Sequence, residues 1–304
     1  MKNDRILCFG AAICAALLTA AQAQAARHHN LNVNFGGNAE HCSDLKATSD
    51  GEVAQVNEAF TLSKAEAPIL EMNGIERGVF RVRGWDRAEY SVEACKVAAA
   101  DDRATAEQTV RGISVNRSAG RFSSSGPSND NVNWEVYFIV HAPRDASLDL
   151  ETRNGPISVE SVIGSLKIRT TNGPVSLHDC EGTAEVHTQN GPISFRGTGG
   201  EVHLDAHNGP ISLELSGDVW NGTLLEARTI NGPVSLSLPD TFHSGVRVET
   251  SGHAPVSCAA GACQGAWSDG QRVMQLNGSA DTIRVSTSNG PVSVHAPKKT
   301  GRII

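Results

Sequence analysis

Histidine and carboxylate side chains alternate in one short stretch, "HLDAH" at residues 203–207, where they could do chemistry. Successive side chains of a β-strand point to opposite faces, so His203, Asp205 and His207 would share one face. Imidazole and carboxylate groups are ligands for zinc and other divalent ions. His203 and His207 would lie about 13 Å apart on a strand, too far for one ion to bridge. A metal site could use only Asp205, one of these histidines and His187.

An enzyme that acts on polysaccharides would need a pair of carboxylates, or a carboxylate beside a cation, on an outer face. Asp205 with Glu185 and Arg228 could supply such a set. The sequence shows no aromatic groove beside them, and their charges fit a ladder of alternating sign between stacked strands. We therefore predict no catalytic residue, no metal site and no cofactor, and we keep His187, His203 and Asp205 as a candidate surface cluster.

A repeated corner would position these residues. "NGPISV" at 154–159 recurs in close copies, and Asn-Gly between alternating strands normally predicts a two-residue hairpin. The proline that follows has no N–H to donate across such a turn, so each copy must pair with another copy. The predicted corner residues are Asn154, Gly155, Pro156, Asn172, Gly173, Pro174, Asn190, Gly191, Pro192, Asn208, Gly209, Pro210, Asn231, Gly232, Pro233, Asn289, Gly290 and Pro291.

The spacing of the corners predicts how the copies stack. Asn154, Asn172, Asn190 and Asn208 follow one another at intervals of 18 residues, and apolar residues alternate on both sides of each corner. A fixed short period is typical of stacked coils, and strand crossovers favour a right-handed turn. We therefore predict an all-β fold, a parallel right-handed β-solenoid with coils of about 18 residues. One short helix is predicted near the N-terminal end, with an aspartate N-cap at 101–102.

The first 25 residues have the features of a cleaved signal peptide: a positive end, an apolar stretch and small residues before the cleavage point. No later stretch is long and apolar enough to predict a transmembrane span. The formal net charge of -7 argues against nucleic acid as a main partner. We expect a periplasmic, cell-surface or secreted protein.

Five cysteines follow the signal peptide, and export implies an oxidising compartment. Cys258 and Cys263 are close enough in sequence to close a tight loop, and Cys42 with Cys95 is the candidate long-range pair. Cys180 is left over, and we interpret it as a buried thiol rather than a reactive one.

The period also divides the chain. We predict an irregular segment at 26–66, atypical capping coils with the short helix at 67–143, regular repeats at 144–297 and a basic tail at 298–304. Residues 258–281 interrupt the period, and we interpret them as an insertion that carries a binding surface.

The chain resembles a bacterial exported family of β-strand repeat proteins labelled "putative adhesin", of unknown function. The resemblance rests on "MNG" and "VFRVRGWDRAEYSVEA" within 72–94, on "WEVYFIVHAP" at 134–143 and on the Asn-Gly repeats, and it spans 67–297. It implies adhesion and brings no catalytic residues. We expect a non-enzymatic exported protein, an adhesin or envelope scaffold that binds a protein or glycan. The alternatives are a polysaccharide-acting β-helix enzyme and a metal-binding surface protein.

Overall fold

A computed structural model describes residues 29–35, 39–128, 132–251, 255–263, 267–269, 272–277 and 281–297. The predicted signal peptide and basic tail lie outside these residues. No helix in the described part of the chain is long and apolar enough to cross a membrane.

The N-terminal region contains long strands and one helix, which precede the repeats. Its elements are β1 (Leu31–Phe35), β2 (Leu45–Ser49), β3 (Glu52–Ser63), β4 (Ile69–Trp85), β5 (Glu89–Ala100), α1 (Arg103–Gly112), β6 (Ser114–Ser118), β7 (Arg121–Ser125) and β8 (Asn133–Pro143). Asp102 caps α1, because its side chain accepts a hydrogen bond from the Thr105 N–H, which confirms the predicted helix start. The segment at 26–66, predicted to be irregular, instead contains β1, β2 and β3.

The repeats form pairs of short strands, one before and one after each corner. They are β9 (Ser147–Asn154), β10 (Ile157–Glu160), β11 (Ser165–Asn172), β12 (Val175–His178), β13 (Thr183–Asn190), β14 (Ile193–Gly197), β15 (Gly199–Asn208), β16 (Ile211–Leu215), β17 (Asn221–Asn231) and β18 (Val234–Ser237). The C-terminal elements are β19 (Gly245–Thr250), β20 (Val256–Cys258), β21 (Trp267–Asp269), β22 (Val273–Leu276), β23 (Asp281–Asn289) and β24 (Val292–His295).

Two parallel ladders run through the repeats. The first ladder joins the strands that precede the corners, β9, β11, β13, β15 and β17, and the second joins the strands that follow them, β10, β12, β14, β16 and β18. Apolar side chains of both ladders point between them and are buried, as in Ile168 and Val175. Burial of each such side chain stabilises the fold by about 1.5–3 kcal/mol, which explains the strict alternation along each strand.

The corner asparagines form a continuous row of side-chain hydrogen bonds. The Asn172 Nδ2 donates to the Asn154 Oδ1 at 2.9 Å across 18 residues of sequence, and Asn190 and Asn208 continue the row with the same separation. Asn231 and Asn289 extend it across 23 and 58 residues of sequence. The row therefore follows spatial order even where the sequence period has ended.

Glycine is required at the corners because backbones of successive repeats approach closely there. A Cβ atom at Gly191 would lie 2.1 Å from the Gly173 carbonyl oxygen. Buried threonine hydroxyls occupy the inner side of the same corners. The Thr229 hydroxyl donates to the Gly209 carbonyl at 2.9 Å, so this buried backbone acceptor is satisfied.

The prediction of a parallel β-solenoid with 18-residue coils is wrong as a description of this fold. The described strands form a mixed sheet of 22 strands, with β1 and β2 in a separate antiparallel pair. β3 pairs antiparallel to β5, and β5 pairs antiparallel to β8, so residues 67–143 are not capping coils of a parallel stack. Antiparallel pairs also join β6 to β7 and β19 to β22.

Sheet order departs from chain order at both ends, which a solenoid would not allow. β4 contributes to both ladders and lies beside β9 and β10, although these two strands are far from β4 in the sequence. At the other end, β23 lies between β17 and β19, and β24 lies between β18 and β20. The sequence period detects only the stretch in which neighbours in the chain are also neighbours in the sheet, so it could not reveal these pairings.

Candidate functional site

The outer face of the first ladder carries the charged side chains that the sequence singled out. Parallel in-register pairing places Lys167 beside Glu185 and Glu185 beside His203 in one column. A second column places His187 beside Asp205 and Asp205 beside Arg228. These side chains point outward because the alternate residues of the same strands are buried between the ladders.

Two adjoining depressions lie on this face, with volumes of about 520 and 640 Å³. His187 lines both of them. The first depression holds the charged groups of β11, β13, β15 and β17, and the second extends towards Gly74 and Arg153. The charged and histidine side chains of the first depression are Lys167, Glu185, His187, Glu201, His203, Asp205, Glu226 and Arg228.

Both histidines in the first depression contact carboxylates. The His187 Nε2 lies 3.0 Å from the Glu185 Oε1. The His203 Nδ1 lies 3.3 Å from the Glu226 Oε2, and its Nε2 lies 3.7 Å from the Glu201 Oε1. The hydrogen bond from His187 lowers the pKa of Glu185 below its ordinary value, so this carboxyl group is ionised at neutral pH.

Three charged groups of the first depression make no ion pair within the part of the chain that the structure describes. They are Lys167, Asp205 and Arg228, and each contributes to the wall of the same depression. Lys167 lies close enough to Glu185 to interact with it electrostatically, but a charged side chain that makes no hydrogen bond within the protein can offer its hydrogen-bonding capacity to a ligand. The depression therefore presents two cations and one carboxylate beside histidine–carboxylate contacts that are already made.

The structure divides the predicted set of "HLDAH". His203 and Asp205 line the first depression together with His187, whereas His207 is exposed and lies outside it. Among the described residues, no group of three histidine, cysteine or acidic side chains has the geometry to hold a metal ion.

A second polar cluster lies on the outer face of the other ladder and was missed in the sequence. The Glu40 Oε2 lies 2.7 Å from the His141 Nε2, and Arg83 donates to Glu40 and to Glu160. Trp85 stacks on His141 with ring centroids 5.1 Å apart. The His141 hydrogen bond lowers the pKa of Glu40. No local pattern could reveal this cluster, because its members come from four distant segments.

The N-terminal segment is fixed over that face by one of the two predicted disulfides. Cys42 bonds to Cys95, and Leu45 and Val97 pack beside it in a small core of their own. The second predicted disulfide, Cys258–Cys263, is also present. Disulfides are typical of chains that fold in oxidising compartments, so both support an extracellular or exported protein.

Cys180 is a buried free thiol, as the sequence predicts. Burial raises its pKa to about 11, and its Sγ donates to the His178 carbonyl at 3.4 Å. A thiol in this environment is not a ready nucleophile, because the thiolate is the reactive form.

The predicted insertion at 258–281 is partly integral to the sheet. β22 pairs antiparallel to β19, and Met274 and Leu276 are buried in the main core. The side chain of Trp267 lies outside the described residues. The β22 part of this segment therefore belongs to the sheet and is not an insertion that leaves it.

No family model matches this chain, and no curated protein sequence matches it. Two solved structures are similar to it at low identity. One is a putative cell adhesion protein from Clostridium sporogenes, with 12% identity, a TM-score of 0.31 and coverage of 80% of this chain and 100% of that one. The other is a putative adhesin from Bacteroides fragilis, with 11% identity, a TM-score of 0.40 and coverage of 80% of this chain and 97% of that one. Similarity at this level carries no argument about function.

Proposed function

We propose that this chain is a non-enzymatic exported binding protein of the adhesin type, and that the outer face of the first ladder is its binding surface. The observation that carries the proposal is the pair of adjoining depressions, of which the first is lined by the three charges of Lys167, Asp205 and Arg228. The resemblance of residues 67–297 to an exported adhesin-labelled family points in the same direction. The partner is a polar protein or glycan at the cell envelope.

The electrostatics of the depression support binding over catalysis. Glycosidases need one carboxyl group whose pKa is raised, so that it can donate a proton at neutral pH. The pKa of Glu185 is instead lowered, by the hydrogen bond from His187. The remaining glutamates, Glu201 and Glu226, contact His203. None of these three carboxylates lies in an apolar pocket of the kind that keeps a catalytic acid protonated.

The composition of the wall also bears on the ligand. No Phe, Trp or Tyr lines either depression among the described residues, so stacking on sugar rings would not contribute. Recognition would depend on hydrogen bonds and charge, in which Arg228 can bind a carboxylate with two parallel N–H groups. The first depression also carries four carboxylates, Glu185, Glu201, Asp205 and Glu226, so a strongly acidic partner would be repelled. We therefore place neutral glycans and peptide segments of mixed charge first among the partners to be tested.

The test is a binding screen of the chain from residue 26 onward against an array of envelope glycans and against isolated envelope proteins. We compare the wild type with a Lys167→Ala/Arg228→Ala variant. The matched control is Arg144→Ala/Arg196→Ala, which removes the same charge away from both depressions. The proposal is supported if the affinity for a partner falls at least tenfold in the first variant and is unchanged in the control. Equal binding by all three proteins would place the binding surface elsewhere.

Hydrolysis tests the enzymatic alternative directly. The wild type and a Glu185→Gln variant are incubated with the polysaccharides that bind in the screen, and new reducing ends are measured. We expect none from either protein. Release by the wild type that is lost in the variant would replace the proposed binding function with a catalytic one.

A further inference from the structure

The longest free strand edge among the described residues belongs to β3. This strand of 12 residues, Glu52–Ser63, pairs only with β5 and forms the border of the second ladder at the N-terminal end. The other borders are short: β6 has 5 residues and includes Arg117, and β20 and β21 have 3 residues each. Natural sheets protect their edges by short strands, prolines and charges such as lysine, because a free edge pairs with other chains. β3 contains no proline, lysine or arginine, and its protection is limited to Glu52, Glu58 and the Arg103 side chain that covers Val53.

The free backbone groups of β3 can be assigned from two hydrogen bonds. The Lys64 N–H donates to the Ala88 carbonyl, in register with the pairing of β3 and β5. Hydrogen-bonded and non-hydrogen-bonded pairs alternate in an antiparallel ladder, so the even-numbered residues of β3 bond to β5. The odd-numbered residues turn their N–H and C=O groups to the free side. The Val53 carbonyl agrees with this assignment, because it accepts a hydrogen bond from the exposed Arg103 side chain.

We propose that this edge pairs with the same edge of a second copy, so that two β3 strands join antiparallel across a twofold axis. An antiparallel pair of identical strands is self-complementary, as a twofold interface requires. The main-chain groups of Gln55 and Asn57 would bond to those of Asn57 and Gln55 in the other copy. The main-chain pairing would end there on each side, because the Val53 carbonyl already accepts a hydrogen bond from Arg103.

The charges of β3 select the register. If the axis passed through Glu58, the two Glu58 side chains would face each other, and an axis through Gln55 would set Glu52 against Glu58. An axis through Val56 avoids both contacts. It sets Glu58 against Ala54 and Glu52 against Phe60. No two like charges then lie directly opposite each other, an arrangement that would destabilise the pairing.

The same register covers an exposed apolar side chain. Val56 is 37% exposed, one of the large hydrophobic residues left partly in solvent in the described structure. An axis through Val56 makes it a non-hydrogen-bonded pair with its own copy, and side chains approach most closely at such pairs. An axis through Asn57 would instead set Val56 against Glu58. The Val56 register therefore combines main-chain pairing with an apolar contact at its centre.

Sedimentation velocity over a range of concentrations tests the proposal. The chain from residue 26 onward should sediment with twice the monomer mass. Val56→Lys should be monomeric at the same concentrations, because two ammonium groups would meet on the axis; since Val56 also pairs with Lys96 within the chain, its thermal unfolding is measured to show that the variant is folded. Val56→Thr is the matched control, since threonine is also β-branched and suits a strand, and it should remain dimeric. A wild type that is monomeric at every concentration would overturn the proposal, as would a dimeric Val56→Lys protein.

Cross-linking tests the register independently of the charge variant and applies even if Val56→Lys does not fold. Opposed residues of a non-hydrogen-bonded pair have Cα atoms about 4.5 Å apart, within the range of a disulfide. Val56→Cys should therefore form a covalent dimer on oxidation, seen on a non-reducing gel. Ala59→Cys, whose copies would lie well apart, should not. Equal cross-linking of both variants, or of neither, would contradict an axis at Val56.

Discussion

The run of repeats from Ser147 to Leu215 and the C-terminal region from Asn221 to His295 are built with the same corner but differ in topology. In the first region each repeat pairs with the next repeat of the chain, at a constant interval of 18 residues along the asparagine row. In the second region the last repeat, β23 and β24, lies between two segments that precede it in sequence. A shared corner therefore specifies local pairing geometry and leaves the order of the strands open.

This difference has an energetic consequence. In a sequential stack each repeat contacts only the repeats next to it. The free energy of unfolding is therefore close to a sum of contributions from the repeats and from the interfaces between them. A strand inserted between two earlier segments has two neighbours, as an interior strand of the regular run does, but no later repeat among the described residues can take its place when it is removed. Ile283 of β23 pairs with Leu225 on one side and with Val246 on the other. The C-terminal region should therefore depend on its last repeat more than the first region depends on any one repeat.

The largest expected effect comes from deletions that compare the two regions. Deletion of 281–304 removes the shared neighbour of β17 and β19, so we expect residues 221–277 to lose protection in amide hydrogen exchange measured by mass spectrometry. Deletion of 165–182 removes one complete repeat and rejoins equivalent positions, since Ser165 pairs with Thr183. That variant should keep its protection pattern and a cooperative thermal transition.

Protection of 245–258 in the first deletion would show that β19 and β20 hold without the inserted repeat. Loss of structure throughout the second deletion would show that the regular run does not behave as a sum of repeats. Either result would remove the contrast between the two regions.

Much of the regular region could be predicted from the sequence. The proline after each Asn-Gly pair excluded hairpins, and the interval of 18 residues identified the partner of Asn172 as Asn190, which the structure shows. The buried alternation and both disulfides also followed from residue type and spacing. These features are local or periodic, so one stretch of sequence contains the information that defines them.

The rest could not be predicted because it depends on contacts between distant segments. Nothing in the sequence of β23 distinguishes a neighbour 58 residues away from one 18 residues away, because every repeat presents the same apolar face. The same limit applies to the antiparallel pairing of β3 with β5. In the candidate site, sequence reasoning identified His187, His203 and Asp205, whereas Lys167 and Arg228 emerged as charges without an ion pair only from the structure.

A smaller effect is expected from glycines that serve different purposes in two regions. Gly191 lies at a corner where backbones meet, whereas Gly74 lies within β4 at φ +69°, and a Cβ atom added there would have no neighbour within 4 Å. Gly191→Asn should lower the free energy of unfolding by about 1–3 kcal/mol, since the added atoms would overpack the corner. Gly74→Asn should cost less than about 1 kcal/mol, because asparagine adopts left-handed conformations readily. Chemical denaturation of both variants measures the difference, and equal losses would show that close approach is not what selects glycine at the corner.

The smallest effect is expected from the charged columns, which also differ between the regions. In the regular run Lys167 pairs in register with Glu185, whereas near the C-terminal end Arg247 pairs in register with Arg284. Glu185→Lys should reduce stability by a few tenths of a kcal/mol at low salt, and salt should screen this loss because the groups are exposed. Arg247→Gln removes one of two like charges but also the ion pair of Arg247 with Glu249, so these two exposed effects should nearly cancel in the free energy of unfolding.

The pH dependence of the Glu185 variant gives the sharpest form of this comparison. The hydrogen bond from His187 lowers the pKa of Glu185 in the folded chain. As the pH falls, Glu185 therefore binds a proton in the unfolded chain before it does so in the folded chain. Its contribution to the free energy of unfolding is fully present above the ordinary glutamate pKa and is lost as the pH falls through the lowered pKa of the folded chain. The stability difference between wild type and Glu185→Gln should accordingly shrink as the pH falls through the lowered pKa of Glu185, as measured by urea denaturation across that range. At pH 7, adding Lys167→Glu to the Glu185→Lys variant should restore part of its loss, because the second substitution returns opposite charges to neighbouring repeats. A stability difference that is independent of both pH and the second substitution would show that the column contributes no charge coupling between repeats.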